Sequence, residues 1–205
     1  MKKIIVPYLS TQDIRQKADK FRSDYWGSQI PVDILEIAEF EFDIEIRPIP
    51  NLKKLIDMDA LISSNFEVLY VDNDQYINDN QINRLRFSVA HEIGHMILHK
   101  QYYESLGINS FEDYIKYTEE LPEDQHSWLE SHAYEFAGRL LVPYEELTQK
   151  IDEAKKMLED AKINITAENE ELIKDFITRK ICYDFDVSSD VIYKRIVKEK
   201  INLIS

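Results

Sequence analysis

The chain has 205 residues, 44% of them hydrophobic and 11% aromatic, which excludes a disordered polypeptide and allows one substantial core. Its formal net charge of −14 argues against direct binding of nucleic acid or of an anionic membrane, because phosphate groups require clustered Lys and Arg. Cys182 is the only cysteine, which excludes an internal disulfide, and the lack of a signal peptide or membrane-length apolar run predicts a cytoplasmic location.

The first part of the chain predicts two helices followed by a small β-sheet. Ser10 or Thr11 can cap the first helix, and Pro31 suits the first turn of the second. Runs of β-type composition follow, and Ser63-Ser64-Asn65 is typical of a hairpin turn. The expected ranges are 12–26 and 31–40 for the helices and 43–47, 60–62 and 67–71 for the strands. We expect the sheet to be small and mostly antiparallel.

The rest of the chain is helical in pattern. A helix is expected from about Asn80 to Lys100, and its segment 85–98 is apolar on nearly every side, which is typical of a buried helix. A second long helix begins near Asp124 and stops before Pro143. Further helices are expected at 144–161, at 168–185 and after a cap at Ser188 or Ser189. The fold class is therefore α+β, with a main domain over residues 1–145 and a helical C-terminal extension over residues 146–205 packed on it.

The buried helix carries the pattern H-E-x-x-H at His91, Glu92 and His95. Residues four apart lie on one helix face with Cβ atoms about 5–6 Å apart, so both imidazoles can bind one zinc ion (Zn2+) at about 2.0–2.1 Å. Glu92 lies beside the ion, where it can act as the general base toward the water that zinc activates. The alternative is a core histidine pair satisfied by carbonyls and tyrosine hydroxyls. Gly94 favours a close approach of another backbone, since glycine inside a helix is otherwise unfavourable.

A catalytic zinc needs a third protein ligand, and the helix before Pro143 is the place to look. Glu130 projects onto the buried side of that helix, where a cation would compensate its charge, and we predict it as the ligand. His132 is the runner-up, and an exposed Glu130 in the first turn is the alternative. Glu135 is expected to face solvent. His99 is one turn too far to reach the same ion, so we expect it behind the ligands or on the surface.

Two segments resemble the signatures of the ImmA/IrrE metallopeptidases. Residues 86–99 read R-F-S-V-A-H-E-I-G-H-M-I-L-H, which resembles the family run R-F-T-L-A-H-E-L-G-H-L-L-L-H. Residues 130–143 resemble the second signature, E-x-E-A-N-x-F-A-x-x-L-L-M-P, with His132 at its second Glu and Tyr134 at its Asn, a position that often orients a zinc-bound His. The resemblance covers roughly residues 28–145. It implies a zincin-like fold and agrees with His91, His95 and Glu130 as the zinc ligands.

The same resemblance implies a site-specific endopeptidase that cleaves a helix-turn-helix repressor and so relieves repression. Its partner would be a protein substrate, a basic DNA-binding repressor. The alternatives are an antirepressor that uses zinc only as a scaffold, which an intact Glu92 disfavours, and the antitoxin-like half of a toxin pair. The candidates for stabilising the oxyanion are Tyr102, Tyr103, His126 and Tyr134.

An acidic segment joins the two signatures. Residues 100–135 hold nine Asp and Glu against Lys100 and Lys116, a net charge of −7. Such a charge attracts a cationic partner, although a solvated face is the alternative. The middle of the segment carries Glu119, Glu120, Glu123 and Asp124.

Overall fold

The computed structural model describes residues 8–108, 113–114, 123–166 and 168–204, without the side chains of residues 123–125. Its longer helices are α1 (Thr11–Tyr25), α5 (Ile82–Leu106), α6 (Glu123–Leu141), α7 (Tyr144–Asp160), α8 (Glu170–Ile181) and α9 (Ser189–Lys198). Its short helices are α2 (Ile34–Glu36), which continues as a π-turn over Ile37–Glu41, α3 (Leu52–Ile56) and α4 (Asn73–Ile77), and 3-10 turns lie at Asp79–Gln81 and Cys182–Asp184. The strands are β1 (Glu45–Ile49), β2 (Ala60–Ile62) and β3 (Val68–Asp72). The prediction of an α+β fold is confirmed.

Helix α1 begins where the sequence predicts. The Ser10 hydroxyl accepts a hydrogen bond from the Asp13 backbone N–H, and the Asp13 carboxylate accepts one from the Ser10 N–H, each at 3.2 Å. This reciprocal capping satisfies two donors that a helix start otherwise leaves unpaired. Ile14, Ala18 and Phe21 then form a buried stripe along one face, which packs against α6.

The sheet is mixed, so the prediction of a mostly antiparallel sheet is wrong. Its strand order is β1-β3-β2, with β1 parallel and β2 antiparallel to β3. The hairpin prediction is confirmed: Ser63 N–H donates to Val68 O at 2.9 Å, and the Ser63 hydroxyl accepts from Val68 N–H at 3.0 Å. Helix α3 and β2 intervene between β1 and β3, and this long connection lets β1 pair in the parallel direction, which strand composition does not encode.

Helices α5 and α6 form the centre of the molecule and pack closely at Gly94. A Cβ atom placed on Gly94 would stand 3.2 Å from the Cα of Ala133 and 3.3 Å from the Ala133 carbonyl oxygen. The expected approach of another backbone is therefore confirmed, and that backbone belongs to α6. Helix α5 also runs beyond the predicted end at Lys100: it bends at His99 (φ −128°, ψ 23°) and stops at Gly107, whose φ is +64°.

The C-terminal helices share the core of the rest of the chain. One cluster of buried apolar side chains extends from Ile14 on α1 to Leu203 beyond α9. Buried Arg86 on α5 links both parts, since its guanidinium donates to Val32 O at 2.7 Å and to Asp186 O at 3.3 Å. The expected division at residue 145 stays a prediction. Among the described helices, none combines the length and apolarity needed to cross a membrane.

Candidate metal centre

Three side chains of the two central helices meet at one point. His91 Nε2 and His95 Nε2 on α5 lie 3.1 Å apart. Glu130 on α6 places Oε2 at 3.1 Å from His91 Nε2 and Oε1 at 3.5 Å from His95 Nε2. Ligands bound tetrahedrally at about 2.0–2.1 Å are separated by about 3.3 Å, so these donor atoms fit a single zinc-sized ion. One imidazole pair and one carboxylate form the donor set that a catalytic zinc takes.

Glu92 lies beside this triad and is held by the sheet. One of its carboxylate oxygens lies within 4.8 Å of the ligand nitrogens of His91 and His95, so it belongs to the same His–Glu–His cluster. Its Oε2 accepts a hydrogen bond of 2.9 Å from the backbone N–H of Ile62 on β2. Because Glu130 is in direct contact with both imidazoles, it is better placed than Glu92 to share an ion with them.

The charged groups of the site shift one another's pKa values. Glu130 and His91 each stabilise the charged form of the other. Burial alone would raise the pKa of Glu130, but hydrogen bonds from His91 and His95 outweigh it and hold that pKa far below its ordinary value. Burial alone would lower the pKa of His91, but the Glu130 hydrogen bond and the Glu92 charge raise it overall. Burial raises the pKa of Glu92, more than the neighbouring His95 and His91 lower it. Such an arrangement of interacting carboxylates and imidazoles in a cleft is typical of a functional site.

The other two histidines of the signatures lie behind the triad. His99 is 2% exposed, which excludes the surface alternative, and its Nδ1 lies 3.2 Å from His95 Nδ1. Burial, followed by the charge of His95, lowers the pKa of His99 to about 2. His132 contacts this ring, with its Nδ1 at 3.2 Å from His99 Nε2. The structure thus brings Glu130 to the histidine pair and His132 to His99.

Glu135 does not face solvent as expected. It is 5% exposed and binds three cations: Arg15 on α1 at 2.7 Å, Arg195 on α9 at 2.9 Å and Lys198 on α9 at 2.8 Å. The projection of α6 alone was misleading because α1 and α9 cover this face of the helix. The partners on α9 lie about sixty residues away in the chain, and local periodicity carries no signal of so distant a contact.

The triad opens into a cleft of about 1030 Å³. Its walls come from the α3–β2 region, α5, α6 and α9, and His91, Glu92 and Glu130 line it. Among the oxyanion candidates, Tyr134 lines the cleft, is 53% exposed, and has its ring centroid 4.6 Å from that of His91. His126 Nε2 lies 3.9 Å from Glu130, whereas Tyr102 and Tyr103 are buried.

The acidic segment is described only in part. Glu119 and Glu120 lie outside the described residues, as do the side chains of Glu123 and Asp124. Of its described members, Glu130 faces the histidine pair and Glu135 is surrounded by cations. These two charges therefore contribute little to an external field.

The structure is an α+β fold in which a buried helix presents a His–Glu–His cluster to an open cleft. The chain belongs to the IrrE N-terminal-like domain family (Peptidase_M78), whose model matches residues 57–196 and so reaches into α9. No curated protein matches the chain.

Among solved structures, the fold is similar to that of a Mycobacterium tuberculosis transcriptional regulator, with a TM-score of 0.54 at 13% sequence identity. The match covers 90% of this chain and 55% of that one, so this chain spans about half the length of its structural relative. At this identity the likeness concerns the fold alone.

Proposed function

We propose that the chain is a zinc-dependent, site-specific endopeptidase with a zincin-like arrangement of its helix pair. In this proposal His91, His95 and Glu130 bind the ion and Glu92 is the general base. The observation that carries it is the convergence of two imidazoles from α5 and a carboxylate from α6, with separations of 3.1, 3.1 and 3.5 Å. A histidine pair packed only for stability has no need of a carboxylate from another helix in contact with both rings, so the geometry favours a metal site over the core-pair alternative.

When bound, zinc supplies Lewis acidity, which acidifies a water molecule and polarises the scissile carbonyl. Glu92 accepts the proton that this water loses and delivers it to the nitrogen of the departing amine. Two features suit Glu92 to this role. Burial raises its pKa, and the hydrogen bond from the Ile62 N–H holds its carboxylate beside the triad. Tyr134, at the rim of the cleft beside His91, is the best placed of the four candidates to donate to the oxyanion.

The edge of the sheet offers a place for an extended peptide. Leu61 on β2 pairs with Tyr70 on β3, so the alternating backbone groups of Ala60 and Ile62 are directed to the opposite edge, over α5. Ala60 lines the cleft and Ile62 binds Glu92, so this edge leads to the base. A substrate strand pairing here would bring its backbone to the triad, which supports an endopeptidase acting on extended segments.

A basic DNA-binding repressor of the helix-turn-helix type is the proposed substrate, and the cytoplasm the proposed location. The net charge of −14 favours a cationic protein over nucleic acid as the partner. Cleavage of such a repressor would relieve repression. The competing possibility is an antirepressor, or an antitoxin-like protein, that binds without cutting.

The decisive experiment separates cutting from binding. We expect Glu92→Gln to keep the fold and the zinc, because it preserves the shape of the side chain, and to lose proteolysis of a helix-turn-helix repressor substrate, because it removes the base. Zinc content, intact mass of the repressor and reporter expression are measured for parent and variant. Relief of repression that survives Glu92→Gln would reject the endopeptidase and establish a binding mechanism.

A further inference from the structure

A continuous line of three imidazoles runs from the candidate metal centre toward the opposite side of α6. His95 Nε2 faces His91 and Glu130, and its other nitrogen, Nδ1, lies 3.2 Å from His99 Nδ1. His99 Nε2 in turn lies 3.2 Å from His132 Nδ1, and these two rings are nearly parallel at 21°. All three side chains belong to buried residues, with 1%, 2% and 7% exposure from His95 to His132.

Ligation of a metal would decide where each hydrogen lies along this line. A histidine binds a cation through a nitrogen that carries no hydrogen, so Nε2 ligation puts the hydrogen of His95 on Nδ1. The neighbouring His99 Nδ1 must then accept, which places the hydrogen of His99 on Nε2. His132 Nδ1 accepts that hydrogen bond, and the hydrogen of His132 lies on Nε2. Each contact then has one donor and one acceptor, and the three rings are neutral.

The outer end of the line reaches a second surface. His132 lines a shallow groove of about 610 Å³ on the other side of α6, together with Trp128, Arg15 and Glu135. In this groove, water molecules can accept a hydrogen bond from the Nε2–H of His132. The last donor of the line is therefore not left buried without an acceptor.

The two histidines of the H-E-x-x-H pattern differ in what their Nδ1 atoms contact. Within the described part of the chain, His91 Nδ1 is buried without a hydrogen-bond partner. His95 Nδ1 instead has the His99–His132 pair behind it. An imidazole that donates its remote N–H to an acceptor is fixed in tautomer and orientation and is a better ligand.

We propose that His99 and His132 are positioning residues that hold His95 as an Nε2 ligand, with His132 serving as the terminal acceptor. The inference rests on the zinc site of the proposed function. It assigns to His132, which does not contact the triad directly, a role in metal affinity through two consecutive hydrogen bonds. In the same proposal His99 links the other two imidazoles, because it accepts a hydrogen bond from His95 and donates one to His132.

The test compares two substitutions at the outer residue. His132→Gln retains a side-chain carbonyl that can accept the His99 Nε2–H, whereas His132→Leu removes the acceptor and keeps comparable bulk. Zinc affinity is measured by competition with a chromophoric chelator on the full chain. We expect His132→Leu to weaken zinc binding about 10–100-fold and His132→Gln to remain within about threefold of the parent. Leu140→Ala, a cavity variant at a fully buried position two turns further along α6, controls for a general loss of stability.

A spectroscopic readout accompanies affinity. In the zinc-loaded parent, 15N–1H spectra of the imidazoles should show His99 and His132 as neutral Nε2–H tautomers, and His132→Leu should change the His99 signals. The inference is overturned if the parent binds zinc and His132→Leu binds it equally well, an outcome that leaves the zinc site intact. A parent that binds no zinc overturns both the inference and the proposed function. Weakened binding in His132→Leu together with persistent derepression by Glu92→Gln would uphold the inference and reject the peptidase.

Discussion

Gly94 and Ala133 touch backbone to backbone, and this contact sets the spacing of the helices that carry the site. A Cβ at position 94 would lie 3.2 Å from the Ala133 Cα, tighter than ordinary packing. Because His91 and His95 flank Gly94, and Glu130 lies one turn before Ala133, the distance between imidazoles and carboxylate depends on this contact. The glycine is therefore a requirement of the site's geometry.

Substituting Gly94 tests that dependence. Gly94→Ala should lower the free energy of unfolding by about 1–2 kcal/mol, since overpacking against backbone outweighs the helix propensity that alanine contributes. Zinc affinity should fall as well, because α6 is displaced. Thermal unfolding and chelator competition measure the two effects.

Gly138→Ala is the matched control for this change. Its new Cβ would meet a side chain and not the backbone of another helix, with Arg195 Cδ at 3.2 Å. We expect it to keep the zinc affinity of the parent. Equal losses of affinity in both variants would mean that the Gly94 contact does not set the geometry of the site.

The assignment of the third ligand makes a second prediction. Glu130→Ala should remove zinc at stoichiometric concentrations, because two imidazoles remain and a catalytic site needs three protein ligands. His132→Ala should only weaken binding, since His132 lies two hydrogen bonds away. Metal analysis after gel filtration distinguishes them. Retention of zinc by Glu130→Ala with its loss from His132→Ala would reverse the assignment.

A third prediction concerns acid stability. Burial would raise the pKa of Glu135, but hydrogen bonds from Lys198 and Arg15 and the charge of Arg195 outweigh burial and lower it below 4.5. A carboxylate with a depressed pKa stabilises the fold above its unfolded-state pKa, and this contribution is lost as pH falls through the lower folded-state value. The parent should therefore lose stability below about pH 4.5.

Glu135→Gln should flatten this acid limb. At neutral pH it should cost about 3 kcal/mol, because the buried Arg195 loses one of its carboxylate partners and keeps Glu199. Urea unfolding between pH 3 and 7 measures both effects, with the exposed Glu153→Gln as control. An unchanged acid limb in Glu135→Gln would assign the acid sensitivity to other carboxylates.

The fourth prediction addresses the acidic segment. If it attracts a basic repressor, cleavage should slow as salt rises, with kcat/KM affected more than kcat, because screening acts on encounter. Neutralising Glu119, Glu120, Glu123 and Asp124 together should reduce the salt dependence and leave zinc content unchanged. A quadruple variant with the parent's rate and salt slope would assign no steering role to these residues.

Local patterns predicted the central elements of the structure well. The apolar run around His91 forms a buried helix, and Ser10 caps α1 as expected. Glu130 lies on the face of its helix that the 100° step predicts and contacts the histidine pair, while its role as a metal ligand stays a prediction.

What failed depended on distant partners. The parallel pairing of β1 depends on the connection through α3 and β2 that separates it from β3. The burial of Glu135 depends on Arg195, which lies sixty residues later in the chain. The line from His95 to His132 was also missed, since it needs the bend at His99 as well as the spacing of α5 from α6. Periodicity predicts which face of a single helix or strand is apolar. The three features above depend instead on contacts between different elements.

The hydrogen bond from Ile62 to Glu92 connects two parts of the molecule that the H-E-x-x-H pattern alone leaves separate. Ile62 belongs to the edge strand and Glu92 to the histidine helix, and no side chain intervenes in their 2.9 Å contact. A shift of β2 relative to α5 would therefore change the position of the Glu92 carboxylate. In the proposed endopeptidase, a peptide that aligns along this sheet edge would therefore also fix the position of the Glu92 carboxylate, the proposed base.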